Sequence, residues 1–93
     1  MPLEFEWDNK KNGANKRKHR ISFEEASTGF ADPLSSTIPD VAHSLEEDRF
    51  VILGESSRRR LLVVAFTERF QKVSIISARR ATARERSEYE EGN

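Results

Sequence analysis

Arginines at the ends of predicted strands are the residues whose chemistry stands out. Arg79 and Arg80 follow an apolar strand pattern and precede a helix that Thr82 can cap. A guanidinium binds phosphate oxygens through two hydrogen bonds, and the first amides of a helix favour the same anion. This arrangement predicts a phosphodiester site, and solvated charge is the alternative. Further basic residues near neighbouring strand ends and turns are Arg49, Arg58, Arg59, Arg60, Arg69 and Lys72.

The two histidines differ in their surroundings. His19 lies in the basic run 16–20, where cationic neighbours favour a neutral imidazole suited to proton transfer. A helix C-cap is the other reading of this residue. His43 lies in the acidic segment 40–48 and reads as solvated, so it receives no role. With only these two histidines and no cysteine, the sequence predicts no metal site and no cofactor.

Length and composition predict one domain, residues 1–93. Hydrophobic residues make up 35% of the chain and charged residues 34%. This hydrophobic fraction is low but sufficient for a folded chain. The absence of cysteine excludes a disulfide framework. The longest apolar run, 61–66, is far too short to cross a bilayer, and the N-terminus lacks a signal pattern. We therefore expect a cytoplasmic protein with no membrane partner.

The zero net charge conceals strong segregation along the chain. Residues 10–20 carry six Lys or Arg and no acid, whereas residues 21–48 carry seven acids and no Lys or Arg. Residues 49–84 carry nine bases against two acids. Such blocks are typical of a chain that meets a charged partner, either a nucleic acid or a protein.

Periodicity predicts the elements that must position these residues. Helices are expected at 9–18 after Asp8, at 23–28 after Ser22, and from a capping box at 82–85. The first helix has Ala14 as its best core contact. Strands are expected at 3–7, 35–38, 49–53, 60–66 and 72–77.

Short connections make neighbouring strands antiparallel. The expected class is therefore α+β, a small antiparallel sheet of about four to five strands. Two N-terminal helices and one C-terminal helix are expected to pack on one side of it.

An ordered set of motifs resembles the BrnT family, the toxins of type II toxin-antitoxin systems. The resemblance spans residues 5–90 and includes Phe66 where many relatives carry His and Arg20 where a glycine is common. The motifs that carry it are Phe5-Glu6-Trp7-Asp8, Lys11, Asn15, Lys18-His19, Phe23-Glu24-Glu25-Ala26, Arg49-Phe50, Thr67-Glu68-Arg69 and Ile76-Ser77-Ala78-Arg79-Arg80-Ala81 with Glu85.

The resemblance implies a RelE-like fold and a metal-independent ribonuclease that arrests translation. It also implies a BrnA-like antitoxin that folds against the toxin and blocks it. In the complex, the two proteins are expected to repress their shared operon, so that operator DNA is reached only through the antitoxin.

With RNA cleavage as the expected activity, site roles can be assigned as hypotheses. Arg79, Arg69 and Arg49 are expected to clamp the phosphate, because arginine stabilises charge and does not deprotonate. The candidates for the general base, in order of preference, are His19, Glu55 and Lys18. The residues expected to bind RNA by charge are Lys11, Lys18, Arg58, Arg59 and Arg80.

Two other functions fit the same pattern of residues. A non-catalytic module could bind RNA or hold an antitoxin, and a structural interaction domain would explain the segregated charge without chemistry. A proton-transfer group beside the arginines would distinguish an enzyme from these two kinds of protein. The sequence does not identify that group.

Overall fold

The structure is a computed structural model that describes residues 3–45 and 47–92. Its helices and strands follow the predicted order closely. The helices are α1 (Asn9–His19), α2 (Phe23–Thr28) and α3 (Ala83–Glu91). The strands are β1 (Phe5–Glu6), β2 (Ser36–Pro39), β3 (Arg49–Glu55), β4 (Leu61–Arg69) and β5 (Lys72–Arg80).

The described strands form one sheet in the order β1-β5-β4-β3-β2. β2, β3, β4 and β5 pair in antiparallel fashion, and β1 pairs with β5 in parallel. The predicted α+β class is confirmed, and the sheet is mixed rather than wholly antiparallel. No short loop joins β1 to β5, so chain connectivity did not dictate their relative direction.

The main core lies between the sheet and the two N-terminal helices. Ile21 and Phe23 are fully buried, and Leu62, Val64 and Ile75 meet them from the sheet. Trp7 packs edge-on against Phe23 at 6.2 Å between ring centroids and so completes this side as a core ring. Burial of this face provides the main driving force for docking α1 and α2.

The C-terminal helix covers the opposite face, so the expectation that all helices pack on one side is wrong. Val51 and Val63 alternate with the core residues along their strands, and they line a groove with Tyr89 of α3. The Tyr89 hydroxyl donates to Asp32 at 2.6 Å, which raises the pKa of Tyr89 to about 12. Helix α3 covers one end of this face, at Arg79, and leaves the other end open.

Side-chain caps begin each helix as predicted. Asp8 accepts from the amides of Lys10 and Lys11, and Ser22 accepts from that of Glu25. Thr82 and Glu85 form a complete capping box, whereas the Glu25 carboxylate turns away from Ser22 to bind Ser56 and Arg60. The sequence from Ser22 to Glu25 also fits a capping box, but only the Ser22 half forms, because tertiary partners bind the Glu25 carboxylate.

Helix α1 docks through polar side chains, and the prediction that Ala14 is its core contact is wrong. Ala14 is exposed, while Asn12 and Asn15 are buried. Asn12 accepts from the amide of Phe23 at 2.9 Å, and Asn15 bonds the backbone of Ala78 in β5. A helix with almost no apolar residues is thus held by hydrogen bonds to backbone groups that would otherwise lack partners.

Arg20 ends α1 in the left-handed conformation, with φ 62° and ψ 29°. This conformation is unfavourable for any residue with a Cβ atom and free for glycine. We expect Arg20→Gly to raise the free energy of unfolding by about 1 kcal/mol, measured by urea denaturation. The matched control is Arg17→Gly inside α1, which we expect to lower it by about 1 kcal/mol. Destabilisation by Arg20→Gly would contradict this account of the helix end.

Candidate active site at the open end of the sheet

A row of polar side chains crosses the open end of the sheet. Strand pairing places Glu6 beside Ser74, Ser74 beside Thr67, and Thr67 beside Arg49. Directly paired residues on neighbouring strands project from the same face. Beyond Arg49, the amide of Asp40 donates to the Arg49 carbonyl at 2.7 Å and extends the row past β2. The row therefore carries a carboxylate at each end and an arginine between them.

A cavity of about 470 Å³ opens over this row. We call it the arginine cavity, and the side chains that give it its character are Glu6, Lys11, Glu47, Arg49, Thr67 and Arg69. Lys11 comes from the first turn of α1, and the others come from the sheet or the segment before β3. Three cations and three carboxylates, those of Glu6, Asp8 and Glu47, line this surface among the described residues. An anionic ligand would therefore bind through cations that these carboxylates leave unpaired.

Arg49 and Arg69, which both line the cavity, differ in their hydrogen-bond partners. Arg69 donates through Nε to Oε2 of Glu47 at 3.0 Å, and a second bond joins the same groups. This pairing lowers the pKa of Glu47 and raises that of Arg69. The Arg49 guanidinium makes no hydrogen bond or ion pair with a side chain of the described residues. Arg49 is therefore the cavity's available bidentate donor.

His43 and Asp40 form a hydrogen-bonded pair next to the arginine cavity. Nδ1 of His43 lies 3.1 and 3.0 Å from the two carboxylate oxygens of Asp40. His43 lines an adjoining hollow of about 260 Å³ together with Glu47, Arg49 and Thr67. The side chain of His43 is 65% exposed, in agreement with the expectation that it is solvated. Its pair with Asp40, three residues earlier in the chain, was not predicted.

The structure does not bring Arg79 into the arginine cavity. Arg79 pairs with Val63, whereas Arg49 pairs with Thr67, four residues farther along β4. This separation is about 13 Å along the strand. Arg79 donates to both Glu85 oxygens at 2.8 and 2.9 Å, and this lowers the pKa of Glu85 to about 2. The place predicted for a phosphate is thus filled by the chain's own carboxylate.

The predicted proton-transfer residues also lie outside the cavity. His19 is the last residue of α1, and Lys18 beside it is exposed. Glu55 lies at the far end of β3, where its amide donates to Asp32. Their catalytic roles remain predictions without geometric support.

The other predicted RNA-binding residues gather at the far end of the sheet. Arg58 and Arg59 lie in the turn between β3 and β4, and Arg80 ends β5. Arg58 approaches Glu25 at 4.0 Å beside a hollow that it shares with Lys16. Of the predicted RNA-binding set, the structure places Lys11 alone in the arginine cavity.

Phe66 and Phe70 have opposite environments. Phe66 is buried in the core and stacks on Phe50 at 5.6 Å between centroids, away from the face that carries Arg49. Phe70 follows Arg69 in the β4–β5 turn and is 95% exposed. Phe66 therefore belongs to the core and does not line the arginine cavity.

Two further findings limit the kinds of site within residues 3–45 and 47–92. No three or more histidine, aspartate or glutamate side chains converge there as a metal-binding group. In the same residues, no helix combines the length and apolar character that a membrane span requires.

The fold and the site define an α+β protein whose mixed sheet carries, at its open end, a cavity lined by charged residues of both signs. Residues 7–85 match the family described as "Ribonuclease toxin, BrnT, of type II toxin-antitoxin system", and the chain belongs to that family. A type II system pairs its toxin with a protein antitoxin, so membership implies such a partner.

One solved structure is similar over most of the chain. It is the crystal structure of the Brucella abortus ribonuclease toxin, BrnT, at 23% sequence identity and a TM-score of 0.67. The likeness covers 87% of this chain and 99% of that chain. At this identity it supports the fold, and the expected α+β class with three helices and one five-stranded sheet is thereby confirmed. No curated protein matches the sequence.

Proposed function

We propose that the chain is an endoribonuclease that cleaves RNA in the arginine cavity without a metal ion. The observation that carries this proposal is the presence of Arg49, Arg69 and Lys11 around one concave surface, where Arg49 has no hydrogen bond or ion pair with a carboxylate of the described residues. Family membership supports the ribonuclease activity. Cleavage of cellular RNA would then inhibit translation.

The arrangement suits the electrostatic part of phosphodiester cleavage. Negative charge grows on the phosphate oxygens in the transition state, and preorganised donors stabilise that charge most where they need not rearrange. Arg49 supplies a planar pair of donors, and Lys11 supplies a second positive charge. Phe70 offers an exposed ring beside Arg69 on which an unpaired base can stack.

The partner is proposed to be a BrnA-like antitoxin that blocks the cavity in the complex. The complex, and not the toxin alone, would bind operator DNA and repress the operon. A cytoplasmic location follows from a substrate of cellular RNA. Purified complex and free toxin compared on operator DNA would test this part, and binding by the free toxin alone would contradict it.

The proposed activity is tested with purified protein, freed of any partner, on a long RNA in EDTA. We expect wild-type cleavage, and we expect Arg49→Ala to lower the rate by about 100-fold through the loss of one preorganised donor. Arg49→Lys should restore only part of the rate, since ammonium lacks the planar pair of donors. The matched control is Arg86→Ala on the exposed side of α3, which should cleave like wild type.

Failure of a folded wild-type protein to cleave RNA in EDTA would overturn the proposed activity. If RNA binding persisted without cleavage, the chain would be a non-catalytic RNA-binding module. Equal loss in Arg49→Ala and Arg86→Ala would instead place the active site elsewhere. Arg79→Ala belongs in the same series, because its predicted role in the clamp requires the pair with Glu85 to open.

A further inference from the structure

The proposed chemistry needs two proton transfers that arginine and lysine at neutral pH do not supply. The 2'-hydroxyl must lose a proton to attack the phosphorus, and the leaving 5'-oxygen must gain one. General acid-base groups contribute about 100-fold or more to such steps. The residues that can do this must lie beside Arg49.

We propose that Glu6 is the general base and His43 the general acid, on opposite sides of Arg49. This inference rests on the proposed ribonuclease activity and names the proton-transfer groups of the same site. It depends on the position of Glu6 at one end of the row that crosses the open end of the sheet, and on the position of His43 beside Asp40 at the other end.

The position of Glu6 suits the removal of a proton. Glu6 and Arg49 are separated by the two strands that carry Ser74 and Thr67. Three strand spacings put their Cα atoms about 14 Å apart, a gap that the two extended side chains and a phosphate can fill. Glu6 makes no side-chain hydrogen bond or ion pair with the described residues, although it lines the cavity and acts electrostatically on Arg69. Its carboxylate is therefore available to a hydroxyl.

The other two carboxylates of the cavity are already engaged. Asp8 accepts hydrogen bonds from the first amides of α1, at 2.7 and 3.3 Å. Glu47 is bound by Arg69, which lowers the pKa of Glu47 and makes it a weaker base. Glu6 is the acidic residue of this cavity whose side chain has no such partner within the described chain.

The position of His43 suits the delivery of a proton. Asp40 accepts at Nδ1, which fixes the ring and leaves Nε2 directed away from that carboxylate. His43 shares its hollow with Arg49, so a phosphate on Arg49 lies between the two hollows. Asp40 acts here as a positioning residue, because it orients the imidazole and does not contact RNA.

The step balances without a co-reactant. Glu6 takes the 2'-hydroxyl proton, the 2'-oxygen forms a bond to phosphorus, and the bond from phosphorus to the 5'-oxygen breaks. His43 gives its proton to that oxygen. The products are a 2',3'-cyclic phosphate and a 5'-hydroxyl. Proton exchange with solvent then restores the starting protonation of Glu6 and His43.

The test uses purified full-length protein and an RNA substrate, with Glu6→Gln and His43→Gln as the variants. We expect each to lower kcat by about 100-fold or more. Binding of a non-cleavable 2'-O-methyl RNA should change less than threefold, which separates catalysis from folding and affinity. Glu4→Gln, an exposed glutamate two residues from Glu6, is the matched control and should cleave normally.

A modified substrate distinguishes the acid from the base. In an RNA with sulfur in place of the 5'-bridging oxygen, the leaving group departs without a proton. His43→Gln should recover most of its rate on this RNA, and Glu6→Gln should not. Asp40→Asn should lower the rate on normal RNA and recover with sulfur in the same way, which a purely structural role would not produce.

Normal cleavage by either Glu6→Gln or His43→Gln would overturn the inference while leaving the proposed ribonuclease intact. Loss of cleavage in His19→Gln with normal cleavage in His43→Gln would instead assign proton transfer to His19, the first candidate for the general base from the sequence. If a folded wild-type protein cleaves no RNA, the proposed function fails and this inference fails with it.

Discussion

Glu25→Leu is expected to lower the free energy of unfolding by about 3 to 5 kcal/mol, the range for removing one partner of a buried ion pair. The Glu25 carboxylate is 7% exposed, and it accepts from the Ser56 hydroxyl at 2.7 Å and from Arg60 Nε at 2.8 Å. A second guanidinium nitrogen of Arg60 bonds its other oxygen. These hydrogen bonds connect α2 to the turn between β3 and β4.

Urea denaturation followed by the fluorescence of Trp7 measures this effect, since the ring packs on Phe23 in the core. Glu90→Leu removes the same charge from an exposed position of α3 and should change stability by less than about 0.5 kcal/mol. Replacing both Glu25 and Arg60 by leucine should recover much of the loss, because no charge is then left buried alone. Equal effects of Glu25→Leu and Glu90→Leu would contradict the assignment.

The contribution of Glu25 should also depend on pH. Bonding by Arg60 lowers the pKa of Glu25 below its ordinary value of 4.5. The stabilisation is therefore fully present above that value and is lost as the pH falls through the lower pKa of the folded state. The difference in stability between wild type and Glu25→Leu should shrink correspondingly in acid.

Asn15→Leu is expected to lower the free energy of unfolding by about 3 kcal/mol or more, since each buried group left unpaired costs about 1 to 3 kcal/mol. Asn15 donates to the carbonyls of Ile21 and Ala78, both at 2.8 Å, and accepts from the amide of Ala78 at 3.1 Å. Leucine has a similar size, so it would cover these groups without bonding them.

The neighbouring change Ala14→Leu is the control, because Ala14 is exposed on the same helix. It should alter stability by less than about 0.5 kcal/mol. Thermal and urea unfolding of the two variants would give the comparison, and amide hydrogen exchange at Ala78 should speed up in Asn15→Leu alone. Protection at Ala78 equal to that of wild type would show that other groups replace the Asn15 bonds.

Local signals in the sequence were enough to predict the helices and strands. Asp8, Ser22 and Thr82 mark the helix starts because a side-chain oxygen next to free amides acts within one turn of chain. The apolar run of β4 and the turn-length segments on either side of it likewise predicted three strands and their antiparallel pairing, because short connections leave little choice of direction.

The candidate site was predicted only in part. Arg49, Arg69 and Lys11 were singled out as basic residues, and the structure places them together. Glu6 was named only within the strand at 3–7 and the family motif at 5–8, without a site role, and His43 was interpreted as solvated. Their common surroundings depend on β1 pairing with β5 and on Asp40 lying beside β3, contacts between segments distant in sequence.

For Arg79 too, the sequence predicted the local position and the tertiary structure decided the partner. The sequence placed it correctly at the end of a strand and before a capped helix. Only the tertiary structure decided that Glu85 fills the anion position and that α3 covers this end of the sheet. The sequence by itself thus determined the elements, the family and the charges, because these depend on neighbours along the chain. Strand order and helix placement decided which charged residues lie close together. Residues next to each other in the chain do not specify these features.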